Sequence, residues 1–290
     1  MSFEIFAQTI VNGLFTGAIY AMVAIGLTLI YGVMIIMNFA HGEFLMLGMY
    51  VAYWGFVLAG LDPYVSIPIA AILVFILGAL IQRGFIQRVL DAHPLNQIIL
   101  LLGISTLITG LVQFFFTAEP LVIRVPYETE VWKFLGMRFN IPRTVAFLSS
   151  MVIAILLYLF LQFSKTGKAI RAVSQNRDAS SLMGINVKWI YMLTFGLGAA
   201  VTAIGGVLLT PNYKLIPTIG QSYSVIAFVV VVLGTMGNFL GALLGGLIIG
   251  LVEAFAGYFI GGDLKIVASM FVFILILLFK PSGLFGKKMA

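Results

Sequence analysis

Charge is what this sequence most lacks. Of 290 residues only 9% are charged while 62% are hydrophobic, and the mean hydropathy is +1.14. A soluble domain carries about a quarter charged residues, so these side chains cannot cover the fold in water. Cysteine is absent, which excludes disulfides, iron–sulfur clusters and thiol chemistry. Strict apolar–polar alternation is missing too: runs such as MVIAILLYLFLQF argue against a β-barrel, whose strands alternate over about ten residues. The N-terminal MSFEIFAQTIVNG has an acid where a cleavable signal would have a basic region, so its apolar run reads as a retained helix.

What is present is a series of apolar stretches, each long enough to cross a bilayer core. They fall at about 8–31, 40–60, 64–82, 95–117, 143–163, 189–210, 222–240, 241–260 and 264–280. The fold class is therefore an all-α polytopic integral membrane protein of about 8–9 transmembrane helices, one or more interrupted. It forms a single domain over 1–290. Three loops are basic: Arg83 and Arg88; Lys165, Lys168, Arg171, Arg177 and Lys188 against Asp178 alone; and Lys280, Lys287 and Lys288 in the tail. The positive-inside rule places all three in the cytoplasm. The two-signed loop at about 118–142 and the Asp62 tip then lie outside. A basic tail inside requires 222–260 to cross twice, with a turn near LGTMGNFLG, giving about nine crossings and an external N-terminus.

Glycine is abundant at 31. Gly237, Gly241 and Gly245 are spaced four apart, as are Gly246 and Gly250, and Gly198, Thr202 and Gly206 repeat the pattern. Small residues at that spacing let helices approach closely, either as fixed packing or as a moving or intersubunit interface.

The loop at about 164–188 predicts two short helices under the membrane. GKAIRAVSQ is basic on one side, with Ile170 and Val173 on the other. Asn176 caps the second helix, Asp178 sits at its positive end, and Gly184 closes it in the left-handed region. Ala179, Ser180 and Ser181 followed by Leu182 and Met183 suit docking into a protein groove; an amphipathic helix on anionic lipid is the alternative.

Together NFAHGEF, GKAIRAVSQNRDASSLMGI, GALLGGLIIGLVEA and LLFKPSGLFG resemble, in order and over almost the whole chain, the permease family of branched-chain amino-acid ABC transporters. The chain departs from it in VLGTMGNFLGA, where Thr235 and Met236 stand near a second glycine's usual place. The resemblance implies coupling to an ATPase through Asn176, Asp178, Ala179, Ser180, Leu182, Met183 and Gly184. It also implies two ATP-binding subunits, a second and different permease chain, an external solute-binding protein and residence in a bacterial inner membrane. No cofactor is expected on this chain. KTGKAI and LFGKKM are not phosphate loops, so ATP and magnesium belong to the partners and this chain is no enzyme. Branched-chain amino acids are the solute the family implies, with urea or short amides the runner-up. An ion-coupled secondary transporter is the rival class.

Within NFAHGEF, counting 19 residues back from Asp62 gives roughly 28 Å of helix and places Glu43 near the cytoplasmic boundary. One reading has Asn38 capping the helix, Glu43 in its first turn and Gly42 admitting another backbone. A second makes the stretch an interrupted helix whose His41 and Glu43 face a gate. No metal site or catalytic set is expected, because His41 and Glu43 do not share a helix face and no nucleophile stands beside them. Glu253 is an intramembrane acid, either contacting the solute's ammonium group or holding helices together by hydrogen bonds. Asn12, Thr16, Gln97, Ser105 and Thr109 are polar groups of the same cavity or ordinary interhelical bonds.

Overall fold

A computed structural model describes residues 3–134, 136–280 and 282–286; the predicted basic residues Lys287 and Lys288 lie outside these. Seven of the described helices are long and apolar enough to cross a membrane, and two shorter apolar helices accompany them. The crossing helices are α1 (Phe3–Met34), α2 (His41–Ala59), α3 (Ile67–Ile81), α5 (Pro94–Phe116), α6 (Ile141–Phe163), α9 (Val187–Leu209) and α11 (Phe239–Phe259). The shorter ones are α10 (Ile219–Leu233) and α12 (Lys265–Phe279). A π turn, Gln82–Ile86, and the brief α4 (Gln87–Val89) prolong α3. The predicted turn within 222–260 is present, at residues 234–238 where Thr235 and Gly237 both have positive φ. Of the two crossings expected there, only α11 is long enough to cross, α10 having 15 residues.

Helices α1 and α9 form the centre, each largely buried, whereas α5 and α6 present most of their surface outward. The packing has an internal two-fold logic. Helix α1 lies along α11 as α9 lies along α3; α2 leans on α9 as α10 leans on α1; and the pairs α1–α9 and α2–α10 meet directly. Since α9 starts beside the basic loop and α1 ends there, the two halves run in opposite directions, the inverted repeat found in many transporters.

Glycines make the central contacts close. A Cβ at Gly17 would stand 2.8 Å from the Gly246 carbonyl and the Leu247 Cα, so α1 and α11 touch through backbone. The predicted stripe on α11 divides by face. Gly246 and Gly250 meet α1, whereas Gly241 and Gly245 meet α10. Gly237 is not part of that stripe, as its φ of +80° puts it in the turn, against Gly32.

The basic loop folds as α7 (Lys165–Gln175) and α8 (Arg177–Leu182). The loop at the other end contains a hairpin, β1 (Val131–Phe134) with β2 (Met137–Asn140), which the apolar pattern of the sequence does not announce.

Candidate functional site

Between α1 and α2 the chain is not helical. Residues 35–40 are irregular and end in a turn, entered through Ile35 at φ +58°, a left-handed conformation that a β-branched residue adopts only when its surroundings impose it. Ile36, Asn38 and Ala40 turn inward, while Ile35 and Met37 are exposed. The segment carries the chain back into the bundle before α2 starts. His41 Nε2 lies 2.9 Å from the Val23 carbonyl and 2.7 Å from the Thr202 hydroxyl, both inside the central helices. Ser105, the central residue of α5, donates to Glu43 Oε1 at 2.8 Å. With eleven residues of α5 on either side of Ser105, each end is about 16 Å away. Glu43 is therefore at mid-depth, not at the cytoplasmic boundary. The count from Asp62 began too high: Tyr127, in the loop layer, donates to the Asp62 carboxylate, so this tip stands beyond the helix ends.

Helix α10 also begins at this depth, and the two helix starts clasp each other. Ser224 of α10 accepts the Gly42 N–H at 2.8 Å, satisfying one of the orphan donors of α2. A Cβ on Gly220 would lie 2.5 Å from Glu43 Oε2 and 2.8 Å from the Gly42 carbonyl, so glycine is required there. Gly42 does admit another backbone, as expected: that of Gly220. Asn38 does not cap α2 in the expected way. Ala40 is the N-cap and has no side-chain bond, while Asn38 Oδ1 accepts from the Ala40 N–H at 3.1 Å, closing a turn before the helix. Asn38, His41 and Glu43 are each 0% exposed, and Glu43 Oε2, His41 Nδ1 and Asn38 Nδ2 have no partner among the described residues. A carboxylate at two helix starts is well placed electrostatically.

Glu253 belongs to a separate cluster. Tyr20 donates to it at 2.7 Å and Ser269 at 3.1 Å, joining α1, α11 and α12. It is 4% exposed and lines a cavity of about 320 Å³ with Thr9, Asn12, Thr16 and Lys265. The polar residues expected in one cavity thus divide. Asn12 and Thr16 accompany Glu253, Ser105 serves Glu43, and Gln97 bonds the Leu90 and Ala92 carbonyls at the basic end. Tyr20, a donor, and Ser224, an acceptor, escape sequence reading because each is remote in the chain from what it bonds, and Ser269 because it lies on a different helix from Glu253.

The basic loop follows its local signals. Asn176 accepts from the Ala179 N–H at 2.9 Å, Asp178 is in the first turn of α8, and Gly184 has φ +82°. Ile170 and Val173 are buried; Leu182 and Met183 are 88% and 82% exposed. Ser180 is the exception to the docking face, being buried with its hydroxyl on the Asn176 carbonyl. Arg177 pairs with Asp91 in the loop leading to α5, and that guanidinium holds the Asp91 carboxyl below its ordinary range. Among the described residues no three metal-ligating side chains gather.

A family described as branched-chain amino acid transport system / permease component matches residues 9–279. The chain is 32% identical to the high-affinity branched-chain amino acid transport system permease protein BraD of Pseudomonas aeruginosa, over 97% of this chain and 96% of that protein. It is likewise 32% identical to the permease protein LivH of Escherichia coli K12, over 98% and 97%. Among solved structures it is similar to PsaBC from Streptococcus pneumoniae in complex with Fab, with a TM-score of 0.51 at 12% identity over 98% of this chain and 95% of that one. That last likeness concerns the fold alone.

Proposed function

This chain belongs to the branched-chain amino acid transport system permease family, and from that premise we propose that it forms one wall of the translocation path of an ATP-driven importer for leucine, isoleucine and valine. The basic ends of its helices face the cytoplasm of a bacterial inner membrane, which leaves the N-terminus outside and the C-terminus inside. An external binding protein delivers solute, a second permease completes the path, and two ATP-binding subunits hydrolyse ATP with magnesium. The relatives named as high-affinity branched-chain amino acid permeases support this solute class.

One observation carries the placement of the path: the unwound segment 35–40 at the α2–α10 junction. Non-helical backbone at membrane depth is tolerated only where protein buries it or water reaches it. Among the described residues no acceptor pairs with the N–H groups of Ile36, Met37, Asn38 or Phe39. The exposed side of this segment, Ile35 and Met37, faces the path. Asn38, His41, Gly42 and Glu43 hold it from behind as positioning residues, and Glu253 ties α11 to α1 and α12 beside the outer cavity.

The α7–α8 loop receives movement from an ATP-binding subunit through Leu182 and Met183. Its route inward is contiguous. Arg177 holds Asp91, the Asp91 loop leads into α5, and Ser105 of α5 donates to Glu43 at the junction. A chain without cysteine makes the test direct. Single cysteines at Met37 and Ile36 should differ, with Met37→Cys labelled by a polar thiol reagent and its labelling changed by ATP and leucine, and Ile36→Cys inert. Equal labelling of both, unmoved by ATP, would refute the path. Uptake of urea in place of leucine by the assembled complex would refute the solute class alone.

A further inference from the structure

At the basic end, the last turns of α3 and the first turn of α9 border a cleft of about 400 Å³. Arg83 with Gln82 and Gln87 line one side, and Lys188 with Asn186 and Trp189 the other. The π turn Gln82–Ile86 gives α3 its wider final turn here, a local geometry that recurs at functional sites. No lining residue is acidic. Among the described residues the one ion pair is Asp91–Arg177, so neither Arg83 nor Lys188 has a carboxylate partner there.

The neutral lining groups also keep amide donors in reserve. Gln82 Nε2 bonds Gln87 Oε1 at 2.9 Å, which leaves the Gln87 amide hydrogens unspent. Asn186 Oδ1 accepts the Trp189 N–H at 3.1 Å, leaving its own amide hydrogens as well. Two cations and several amide donors without a competing acid suit an anion with several acceptor oxygens. A guanidinium grips phosphate bidentately and an ammonium adds a mobile point charge. The position says how such a group arrives. Leu80, one turn before Arg83, and Phe85, within the π turn itself, are exposed, and Trp189 of the cleft lining is exposed too, as suits an indole at headgroup level.

We propose that this cleft binds the phosphate of an anionic phospholipid headgroup, with the acyl chains lying against Leu80 and Phe85. The site stands apart from the path and from the α7–α8 pair that carries Leu182 and Met183, although Asn186 and Lys188 close the same loop. It does not depend on which solute is carried.

The test uses the complex containing the full chain, reconstituted in phosphatidylcholine nanodiscs and titrated with phosphatidylglycerol, with bound lipid counted by native mass spectrometry. Wild type should bind saturably, and Arg83→Gln with Lys188→Gln should weaken binding about thirtyfold, from the attraction typical of two basic residues at a membrane surface. Exchanging the cations, Arg83→Lys with Lys188→Arg, should restore most of it, which separates lost charge from lost folding. Equal lipid binding by wild type and the neutralised variant would overturn the proposal. So would inorganic phosphate binding as tightly as the lipid, since the ligand would then be free phosphate. Loss of the ATP-binding subunits from the variant with lipid binding unchanged would make the cleft a protein contact and overturn it too.

Discussion

Replacing Gly220 by alanine tests whether the mid-membrane clasp is as tight as its geometry says. The added Cβ would stand 2.5 Å from Glu43 Oε2, 2.8 Å from the Gly42 carbonyl oxygen and 2.9 Å from the Gly42 carbonyl carbon. Side-chain carbons essentially never come closer than 3.0 Å, so all three atoms must retreat. Glu43 can rotate only by giving up Ser105, and the Gly42 carbonyl moves only with the backbone of α2. Overpacking of this kind costs about 1–3 kcal/mol, and loosening the Ser105 bond to the Glu43 carboxylate adds about 1–2 kcal/mol. Gly110→Ala in α5 is the matched control. Nothing lies within 4 Å of its Cβ, and glycine in a helix interior costs about 1 kcal/mol relative to alanine. Thermal unfolding of the purified complex, followed by loss of its size-exclusion peak, should show Gly220→Ala less stable than wild type and Gly110→Ala no less stable. Leucine uptake at low temperature, where both variants stay folded, should fall only for Gly220→Ala. Equal stability and equal uptake for the two variants would refute the clasp.

Glu43→Gln keeps the acceptor for Ser105 but removes the charge at two helix starts; it should impair uptake more than folding, and unchanged uptake would leave Glu43 as a helix-start residue only. Tyr20→Phe removes a donor from a buried carboxylate and should destabilise by about 1–3 kcal/mol. Ser269→Ala should cost less, its bond being longer, and the two are compared by thermal unfolding. Leu182→Ser with Met183→Ser alters two exposed side chains, so stability should hold while ATP-driven uptake drops at least tenfold; normal uptake would exclude them from coupling. Asn176→Ala should cost α8 about 1 kcal/mol, read as faster amide exchange over residues 177–182.

Several features were legible because their causes are local. Apolar runs predict crossings, since the bilayer asks only for length and hydropathy. The cap at Asn176, the left-handed Gly184 and the buried side of α7 at Ile170 and Val173 follow from a residue and its near neighbours. The turn between α10 and α11 followed from charge bookkeeping, because a basic tail had to return to the basic end.

The chain itself, then, determined a polytopic helical protein with basic loops on one side, a capped helix pair among them, and motifs that carry its family. The tertiary structure alone decided what its intramembrane polar groups do. Glu43 meets Ser105, 62 residues away, and Gly220; Glu253 meets Tyr20 at a separation of 233. Hydropathy is silent on whether an apolar stretch is wound, so NFAHGEF reads both as a helix start and as an interrupted helix, and the irregular backbone of residues 35–40 is visible only in the structure. Residues 35–40 leave the helix through Ile35 at φ +58° and close a turn at Asn38–His41, and α2 starts at mid-depth, beside Ser105 at the centre of α5. Depth, pairing and the meeting of two helix starts arise from packing between distant segments, which no window along the sequence contains.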